Sequence, residues 1–315
     1  TRPPELAGRD EILERAAVAL DRIAQGRPAR SLILYGLRGT GKTVLLGQIR
    51  RDAEARGHQA VRIEAPEGRS LPAILAPSLR AMLLKLDRME SMKAGAKRAL
   101  RVLASFAKLK IRYHDLEVTI DAEPEQGLAD SGDLGLDLAD LLLAVGEAAR
   151  ERHTMVMLGI DEFQYVKPAE MAAMIAALHA VAQAQLPLTM VAAGLPQLLG
   201  KMGRAKSYAE RLFEYVEVGA LDPGAARNAV VIPIEREGEE IERVAVDAIL
   251  EQTRGYHYFL QEWGKHTWDL AFCSPVTLQD VANATVTAVA ELDSSFFRVR
   301  FDRLTPTERR YMRAM

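Results

Sequence analysis

Short apolar runs alternate with longer amphipathic segments along the chain as far as Val218. The runs are bounded by glycine, proline or charged residues, a pattern that predicts buried strands. These strands are predicted at Ser31–Tyr35, Ala60–Glu64, Thr154–Ile160, Leu188–Gly194 and Tyr215–Val218. The segments between them predict helices at Asp10–Ala24, Val44–Ala55, Leu71–Leu86, Ser91–Leu109, Leu136–Arg150, Ala169–Gln185 and Tyr208–Glu214. Strands that alternate with helices predict an α/β fold, a three-layer sandwich with a parallel sheet between two layers of helices.

After Asp222 the strand pattern stops and only helical spacing continues. Helices at Glu239–Gln252, Phe259–Phe272 and Leu278–Leu292 predict a small all-helical domain. A further helix is predicted after Thr305, because Thr305 and Glu308 form a capping-box pattern with Pro306 between them. We therefore expect a main domain at 1–221, with an insertion at about 85–135, and a helical domain at 222–292. Since the chain ends inside the helix after Thr305, residues 293–315 are expected to be the start of a truncated C-terminal module.

The predicted insertion is divided by charge. Residues 85–112 are rich in lysine and arginine, whereas no lysine or arginine occurs between Asp115 and Asp140. The basic segment could contact nucleic-acid phosphates, but a solvated helix face or docking on the acidic segment is favoured. Aromatic residues are sparse there, so base stacking is not indicated. Alternating apolar residues predict a hairpin over Leu109–Asp121, and residues 123–135 predict a loop.

Whole-chain composition limits the function classes. The net charge is −2 and the isoelectric point is about 6.3, so any nucleic-acid surface must be a local patch. The single cysteine, Cys273, excludes an internal disulfide and suits a reducing cytoplasm. No apolar run reaches the roughly 18 residues of a membrane span, and no apolar signal segment opens the chain.

One loop matches the phosphate-binding pattern G-x-x-x-x-G-K-[ST] without a mismatch. Glycines allow the backbone to curl around an anion, and the following helix directs its N–H groups and positive end at the phosphates. Lys42 is expected to reach the β- and γ-phosphates, and the Thr43 hydroxyl is suited to Mg²⁺. The predicted ligand is ATP with Mg²⁺, bound by Gly36, Leu37, Arg38, Gly39, Thr40, Gly41, Lys42, Thr43 and Val44.

A second acidic motif follows the apolar strand that ends at Ile160. Buried charge is costly unless it is paired or coordinated, so Asp161 is predicted to bind Mg²⁺ directly or through water. Glu162 is predicted to polarise the attacking water, and Gln164 to contact that water or the γ-phosphate, or to lie on the surface. The histidines show no metal-ligand spacing, so no metal other than Mg²⁺ is expected.

Together the two motifs resemble those of AAA+-type P-loop ATPases, in particular initiator-like ATPases related to origin-recognition proteins and the STAND signalling group. The resemblance implies that Leu188–Gly194 is an added strand of the sheet and that Gly8 and Arg9 lie in the segment that packs on adenine. It also implies that Gly255–Gln261 begins a lid helix and that Leu304–Arg309 begins a winged-helix module through which DNA could bind.

Other positions depart from the pattern of this family. The fourth strand ends in Ala192–Gly194 instead of a polar sensor, so the sensor is either missing or displaced to Gln197. Arg254 is a candidate lid sensor, with a solvated arginine at a helix end as the favoured alternative. Arg211 matches the arginine finger that acts on the ATP of a neighbouring subunit, with Arg204 as the second choice. The alternative for Arg211 is an exposed ion pair with Glu210 or Glu214.

The resemblance implies Mg-dependent ATP hydrolysis that drives a switch or an assembly factor, acting on DNA or on a protein partner as a homo-oligomer. The alternatives are a STAND-like monomeric switch controlled by nucleotide and a nucleotide-binding scaffold with little hydrolysis. A small-molecule kinase is disfavoured because the sequence shows no acceptor-binding signature.

Overall fold

The structure, a computed structural model, describes residues 6–88, 94–110, 122–302 and 304–314. It divides into two compact units, of which the larger comprises Asp10–Val218 and the smaller comprises residues 219–315 with the N-terminal residues through Arg9. Most of the predicted hairpin over Leu109–Asp121 lies outside the described residues. The predicted separation of residues 293–315 as a further module stays a prediction.

The larger unit is built on a five-stranded sheet in which all paired neighbours are parallel. The strands are β1 at Ser31–Tyr35, β2 at Gln59–Glu64, β3 at Val156–Asp161, β4 at Leu188–Gly194 and β5 at Phe213–Glu217. Their order across the sheet is β2-β3-β4-β1-β5, so β4 separates the strand before the glycine loop from the strand before the acidic motif. Every residue of β3 and β4 is buried, which explains why these strands read as continuous apolar runs.

Helices cover both faces of this sheet, as predicted. They are α1 at Asp10–Ala24, α2 at Lys42–Ala55, α3 at Leu71–Arg88, α4 at Ala94–Lys110, α5 at Leu134–Glu151, α6 at Pro168–Gln183, α7 at Gln197–Ala205 and α8 at Ala209–Leu212. Leu158 and Ile160 of β3 join a core with α5 and α6, whereas the intervening Gly159 faces Leu46 of α2. Successive strand residues point to opposite faces, so β3 is packed on both sides.

Helix α4, in the predicted insertion, is part of the main core. Val102 and Phe106 are completely buried in it. On its other side, Arg98 and Arg101 pair with Glu125 at 3.4 Å and 3.2 Å, and Arg98 also pairs with Glu147 at 3.0 Å. For these two arginines, docking on the acidic segment is therefore confirmed.

Helices are the regular elements of the smaller unit in its described residues, and one isolated parallel β-bridge joins Ile241 to Val276. It contains α9 at Pro223–Arg236, α10 at Arg243–Thr253, α11 at His257–Leu270, α12 at Leu278–Glu291, a π-helical segment at Leu292–Phe297, α13 at Arg298–Asp302 and α14 at Pro306–Ala314. Its core joins Ile249 of α10, Leu260 and Trp263 of α11, and Val281 of α12. Among the described parts of the chain, no helix is both long and apolar enough to cross a membrane.

Two helices were missed by the sequence analysis, and several predicted boundaries were wrong. Helix α9 was missed because Gly224 and Pro233 weaken its helical pattern, although Asp222 caps it by accepting the Ala225 N–H at 3.0 Å. Helix α7 was missed because it is short and contains two glycines. The last strand begins at Phe213, so the helix predicted to reach Glu214 ends at Leu212. The helix predicted from Glu239 begins only at Arg243.

Candidate functional site

The glycine loop and the acidic motif lie at the same edge of the sheet. Gly36 directly follows Tyr35, the last residue of β1, and Asp161 is the last residue of β3. The register pairs Tyr35 with Gly194 on one side of β4 and Ile160 with Ala192 on the other. Two strand spacings of about 4.8 Å therefore separate the two motifs. This edge holds the carboxyl ends of the strands, where parallel α/β sheets bind ligands.

Close packing at one position and positive φ values at two others explain the glycines of the loop. A Cβ at position 36 would lie 2.2 Å from the backbone oxygen of Val218, so only glycine fits there. Gly39 and Gly41 have φ values of 85° and 89°, which a side chain rarely permits. Gly41 immediately precedes α2, and the Thr40 hydroxyl donates to the Leu37 carbonyl at 3.0 Å. The loop therefore curls at the positive end of α2, the geometry of an anion site.

Lys42 is the buried cation of the loop. Only 9% of it is exposed, and its ammonium group donates to the Leu37 carbonyl at 2.6 Å. Burial lowers the pKa of Lys42, while the carboxylates of Glu162 and Asp161 act in the opposite direction. Lys42 of the loop and the two carboxylates of the acidic motif therefore interact electrostatically. Bound phosphate oxygens would offset the desolvation cost of the Lys42 ammonium group.

The two acidic residues differ in their surroundings: Asp161 is buried at the end of β3, whereas Glu162 lies at a turn of the backbone. Asp161 is 4% exposed, and its Oδ1 accepts the N–H of Glu162 at 2.9 Å. Glu162 has a φ of 54°, an uncommon conformation for a residue with a side chain. Strained backbone of this kind is frequent at active sites. It turns the chain at the end of β3 into the short 3₁₀ helix at Phe163–Tyr165.

The side chain of Gln164 is buried behind Glu162. It is 1% exposed, so the surface alternative was wrong. Its Nε2 donates to a carboxylate oxygen of Glu162, and its Oε1 accepts the N–H of Leu195 at 3.0 Å. The ammonium group of Lys201 donates to its backbone carbonyl at 2.7 Å. Gln164 thus brings a polar side chain to the apolar end of β4, whereas Gln197 is exposed at the start of α7.

The residues at this edge fit a magnesium ion. Mg²⁺ prefers oxygen ligands, keeps several waters and takes few ligands from the protein. Asp161 supplies a buried carboxylate, and Thr43 supplies a hydroxyl at the exposed start of α2. A buried carboxylate needs a cationic partner; Lys42 interacts electrostatically with Asp161, but its ammonium group donates its hydrogen bond to the Leu37 carbonyl.

One further contact was not expected from the sequence. Arg38, at the tip of the loop, donates to the hydroxyl of Tyr165 at 2.7 Å and so links the loop to the 3₁₀ helix after the acidic motif. The position of Tyr165 just after the acidic pair was the available signal, but its contact with Arg38 depends on the sheet order.

The candidate finger Arg211 lies away from this edge. It is exposed at the end of α8, just before β5 begins, and so lies at the amino ends of the strands. It does not pair with Glu210 or Glu214 in the described structure, where Glu214 lies 3.6 Å from Arg15 instead. Arg211 is therefore not placed to reach phosphates bound in the glycine loop of its own larger unit.

Gly8, Arg9 and Arg254 belong to the smaller unit. Gly8 has a φ of 65°, and a Cβ there would lie 2.5 Å from the Cβ of Ala225. Arg9 is 6% exposed and donates to the Gly219 carbonyl at 2.6 Å. Burial lowers its pKa, against the opposing effect of Asp222. Arg254 is exposed and caps α10 with a φ of 48°. A role for these residues in nucleotide binding stays a prediction.

Comparisons with known proteins agree with this geometry. The AAA ATPase domain family matches residues 5–191, more than half of the chain. No curated protein sequence matches the chain. Several solved structures share the fold over most of the chain at low sequence identity.

Three of these structures illustrate that similarity. The Walker-type ATPase paby2304 of Pyrococcus abyssi is 14% identical, with a TM-score of 0.62 over 99% of this chain and 79% of that one. The Thermotoga maritima RuvB Holliday junction branch migration motor is 15% identical, with a TM-score of 0.51 over 91% and 72%. The Aeropyrum pernix ORC1 protein in complex with DNA is 12% identical, with a TM-score of 0.50 over 90% and 66%.

Proposed function

Because this chain belongs to the AAA ATPase domain family and is a P-loop ATPase, we propose that Glu162 activates the water that attacks ATP bound by Gly36–Thr43. The observation that carries this proposal is the meeting of the glycine loop and the acidic motif at one sheet edge. The electrostatic coupling of Lys42 to both carboxylates supports it.

Each residue has a physical task in this proposal. The loop N–H groups and Lys42 bind the phosphates, and Val44 extends the contact along the first turn of α2. Thr43 and Asp161 would hold Mg²⁺, which neutralises phosphate charge when it is bound. Glu162 accepts a proton from the attacking water, and Gln164 positions its carboxylate.

We propose that further residues, from a neighbouring copy and from the N-terminal segment, complete the site. Arg211 would act on the ATP of a neighbouring copy, because it lies at the sheet edge opposite to its own loop. An arginine finger stabilises the charge that develops on the transferred phosphoryl group. Gly8 and Arg9 would contribute to the adenine side, as the family resemblance implies.

We further propose that ATP turnover drives a switch or an assembly that acts on DNA or on a protein partner. Support comes from the similar folds of a RuvB described as a Holliday junction branch migration motor and of an ORC1 protein bound to DNA. The single cysteine is exposed and unpaired, which is consistent with a cytoplasmic location.

Light scattering and phosphate release test this role. The Glu162→Gln variant, saturated with ATP and Mg²⁺, is expected to assemble into an oligomer, and wild-type turnover is expected to rise when double-stranded DNA is added. Strictly monomeric protein with ATP, together with turnover unchanged by DNA, would contradict the role and favour a monomeric nucleotide-controlled switch.

A further inference from the structure

Glu262, His266 and Glu291 form a compact cluster in the smaller unit, separate from the proposed ATPase chemistry. One ligand atom of each residue lies within 4.8 Å of the other two. Glu262 and His266 are four residues apart on α11 and therefore share one face of that helix. Glu291, the last residue of α12, reaches the same point from the neighbouring helix.

The ring of His266 is the unusual member of this cluster. Its side chain is 8% exposed, and its Nε2 is buried without a hydrogen-bond partner among the described residues. Nε2 nevertheless lies 3.0 Å from a carboxylate oxygen of Glu291 and 3.8 Å from one of Glu262. Buried polar atoms are normally satisfied, so this nitrogen has room for a partner other than the described protein acceptors.

The spacing of the three donors suits a metal ion. Bonds of about 2.0–2.2 Å in tetrahedral geometry place two ligand atoms roughly 3.3–3.6 Å apart. The separations of 3.0 Å and 3.8 Å from Nε2 lie on either side of that range. A ligand nitrogen directs its lone pair at the metal and not at the neighbouring ligand, which explains close approach without a hydrogen bond. We propose that this cluster binds a first-row divalent cation, with Zn²⁺ as the best match.

An ion pair between a protonated His266 and the two carboxylates is the competing explanation. It would leave the Nε2 proton without an aligned acceptor, because the approach to Glu291 is close but does not form a hydrogen bond. Lys265 also approaches Glu291, at 3.9 Å, but it is 57% exposed and can turn into solvent. Two carboxylates and a neutral imidazole carry a charge of −2, which a divalent cation neutralises.

The donor set limits which metal can bind. Imidazole favours zinc, iron, nickel and copper, whereas magnesium and calcium prefer sites made only of oxygen. Three protein ligands leave room for a water molecule in a tetrahedral zinc site. The predicted order of affinity is therefore Zn²⁺ above Mn²⁺, with Mg²⁺ and Ca²⁺ weakest.

The expected consequence is structural. A metal held by both helices would fix α11 against α12 beside the hydrogen bond from the Trp263 indole to the Thr285 hydroxyl, which measures 3.1 Å. It would act immediately before the π-helical segment at Leu292–Phe297. Because a metal that binds only the folded form stabilises it, Zn²⁺ is expected to raise the melting temperature.

Equilibrium dialysis of the metal-free full chain against Zn²⁺, without nucleotide or Mg²⁺, tests the proposal. The expected result is one tightly bound zinc per chain, with binding at least about 100-fold weaker in His266→Asn and Glu291→Gln. Glu251→Gln, a substitution of an exposed acid on α10, is the matched control and should bind like wild type. Thermal unfolding with and without Zn²⁺ gives a second readout.

Two results would overturn the site. One is the absence of stoichiometric zinc from wild type, and the other is equal zinc binding by wild type and Glu291→Gln. Glu291 is 47% exposed at a helix end, so this variant should fold even if His266→Asn does not. Because no nucleotide is present, neither result depends on the proposed ATPase mechanism.

Discussion

Gln164 joins Glu162 to Leu195 through one buried amide. Its Oε1 accepts the Leu195 N–H at 3.0 Å, and its Nε2 donates to the Glu162 carboxylate. The carboxylate proposed to activate water is thereby fixed to the segment that follows β4. A polar group contributed by the acidic motif thus occupies the position where the sequence of β4 offers only Ala192–Gly194.

Gln164→Ala should slow hydrolysis without preventing ATP binding. The substitution removes the hydrogen bond that orients Glu162 and leaves the partly buried Leu195 N–H without its acceptor. We expect kcat to fall about tenfold or more, with a much smaller change in KM. Steady-state phosphate release measures both parameters.

Gln197→Ala is the matched control for this prediction. Gln197 is exposed at the start of α7, so its removal should leave kcat near the wild-type value. If Gln197→Ala lowered kcat and Gln164→Ala did not, the displaced sensor expected from the sequence would be the correct assignment.

Gly36→Ala should damage both the fold and the loop. Its new methyl group would lie 2.2 Å from the Val218 backbone oxygen, which side-chain rotation cannot relieve. We expect a loss of about 1–3 kcal/mol in the free energy of unfolding and a large loss of ATP affinity. Gly203→Ala, where the added methyl group meets open space, should retain both properties in denaturant titrations and nucleotide-binding assays.

Affinity for ATP should decline in alkaline solution through Lys42. Burial lowers the pKa of Lys42 in the free protein, and bound phosphates should raise it again. Binding is therefore strongest below the free-protein pKa and weakens as pH rises through it, before the ordinary lysine pKa of about 10.4. Calorimetry across this range should show the decline in wild type. An equal decline in Lys42→Ala would assign the effect to another group.

Arg211→Ala should lose turnover that a second inactive variant can restore. An arginine finger contributes about 10³–10⁵ in kcat, and a mixture with Glu162→Gln subunits would supply Arg211 to intact sites. Phosphate release from the mixture should exceed that of either variant alone, whereas Arg204→Ala should retain activity by itself. Undiminished turnover in Arg211→Ala, or a mixture without recovery, would exclude the finger.

The sheet and the site loop could be predicted because each rests on a local signal. β3 and β4 are short apolar runs, and Gly36–Thr43 matches a motif whose glycines the loop geometry requires. The position of Asp161 followed from the cost of burying a carboxylate at the end of an apolar strand.

Features that depend on distant contacts could not be read from the sequence. The role of Gln164 requires the order β3-β4, which brings Leu195 beside it. The cluster of His266 with Glu291 requires α11 to pack on α12, so histidine spacing alone did not indicate it. Helix α9 was missed because tertiary packing and the Asp222 cap outweigh the unfavourable Pro233.

Phosphate release by wild type and Glu162→Gln tests the central claim most directly, with ATP binding measured on the same samples. The account predicts that Glu162→Gln binds ATP normally but releases phosphate about 10²–10⁴ times more slowly, because the general base is lost. Glu67→Gln, which changes an exposed acid in the larger unit, should hydrolyse ATP like wild type. Equal turnover by wild type and Glu162→Gln would contradict the account.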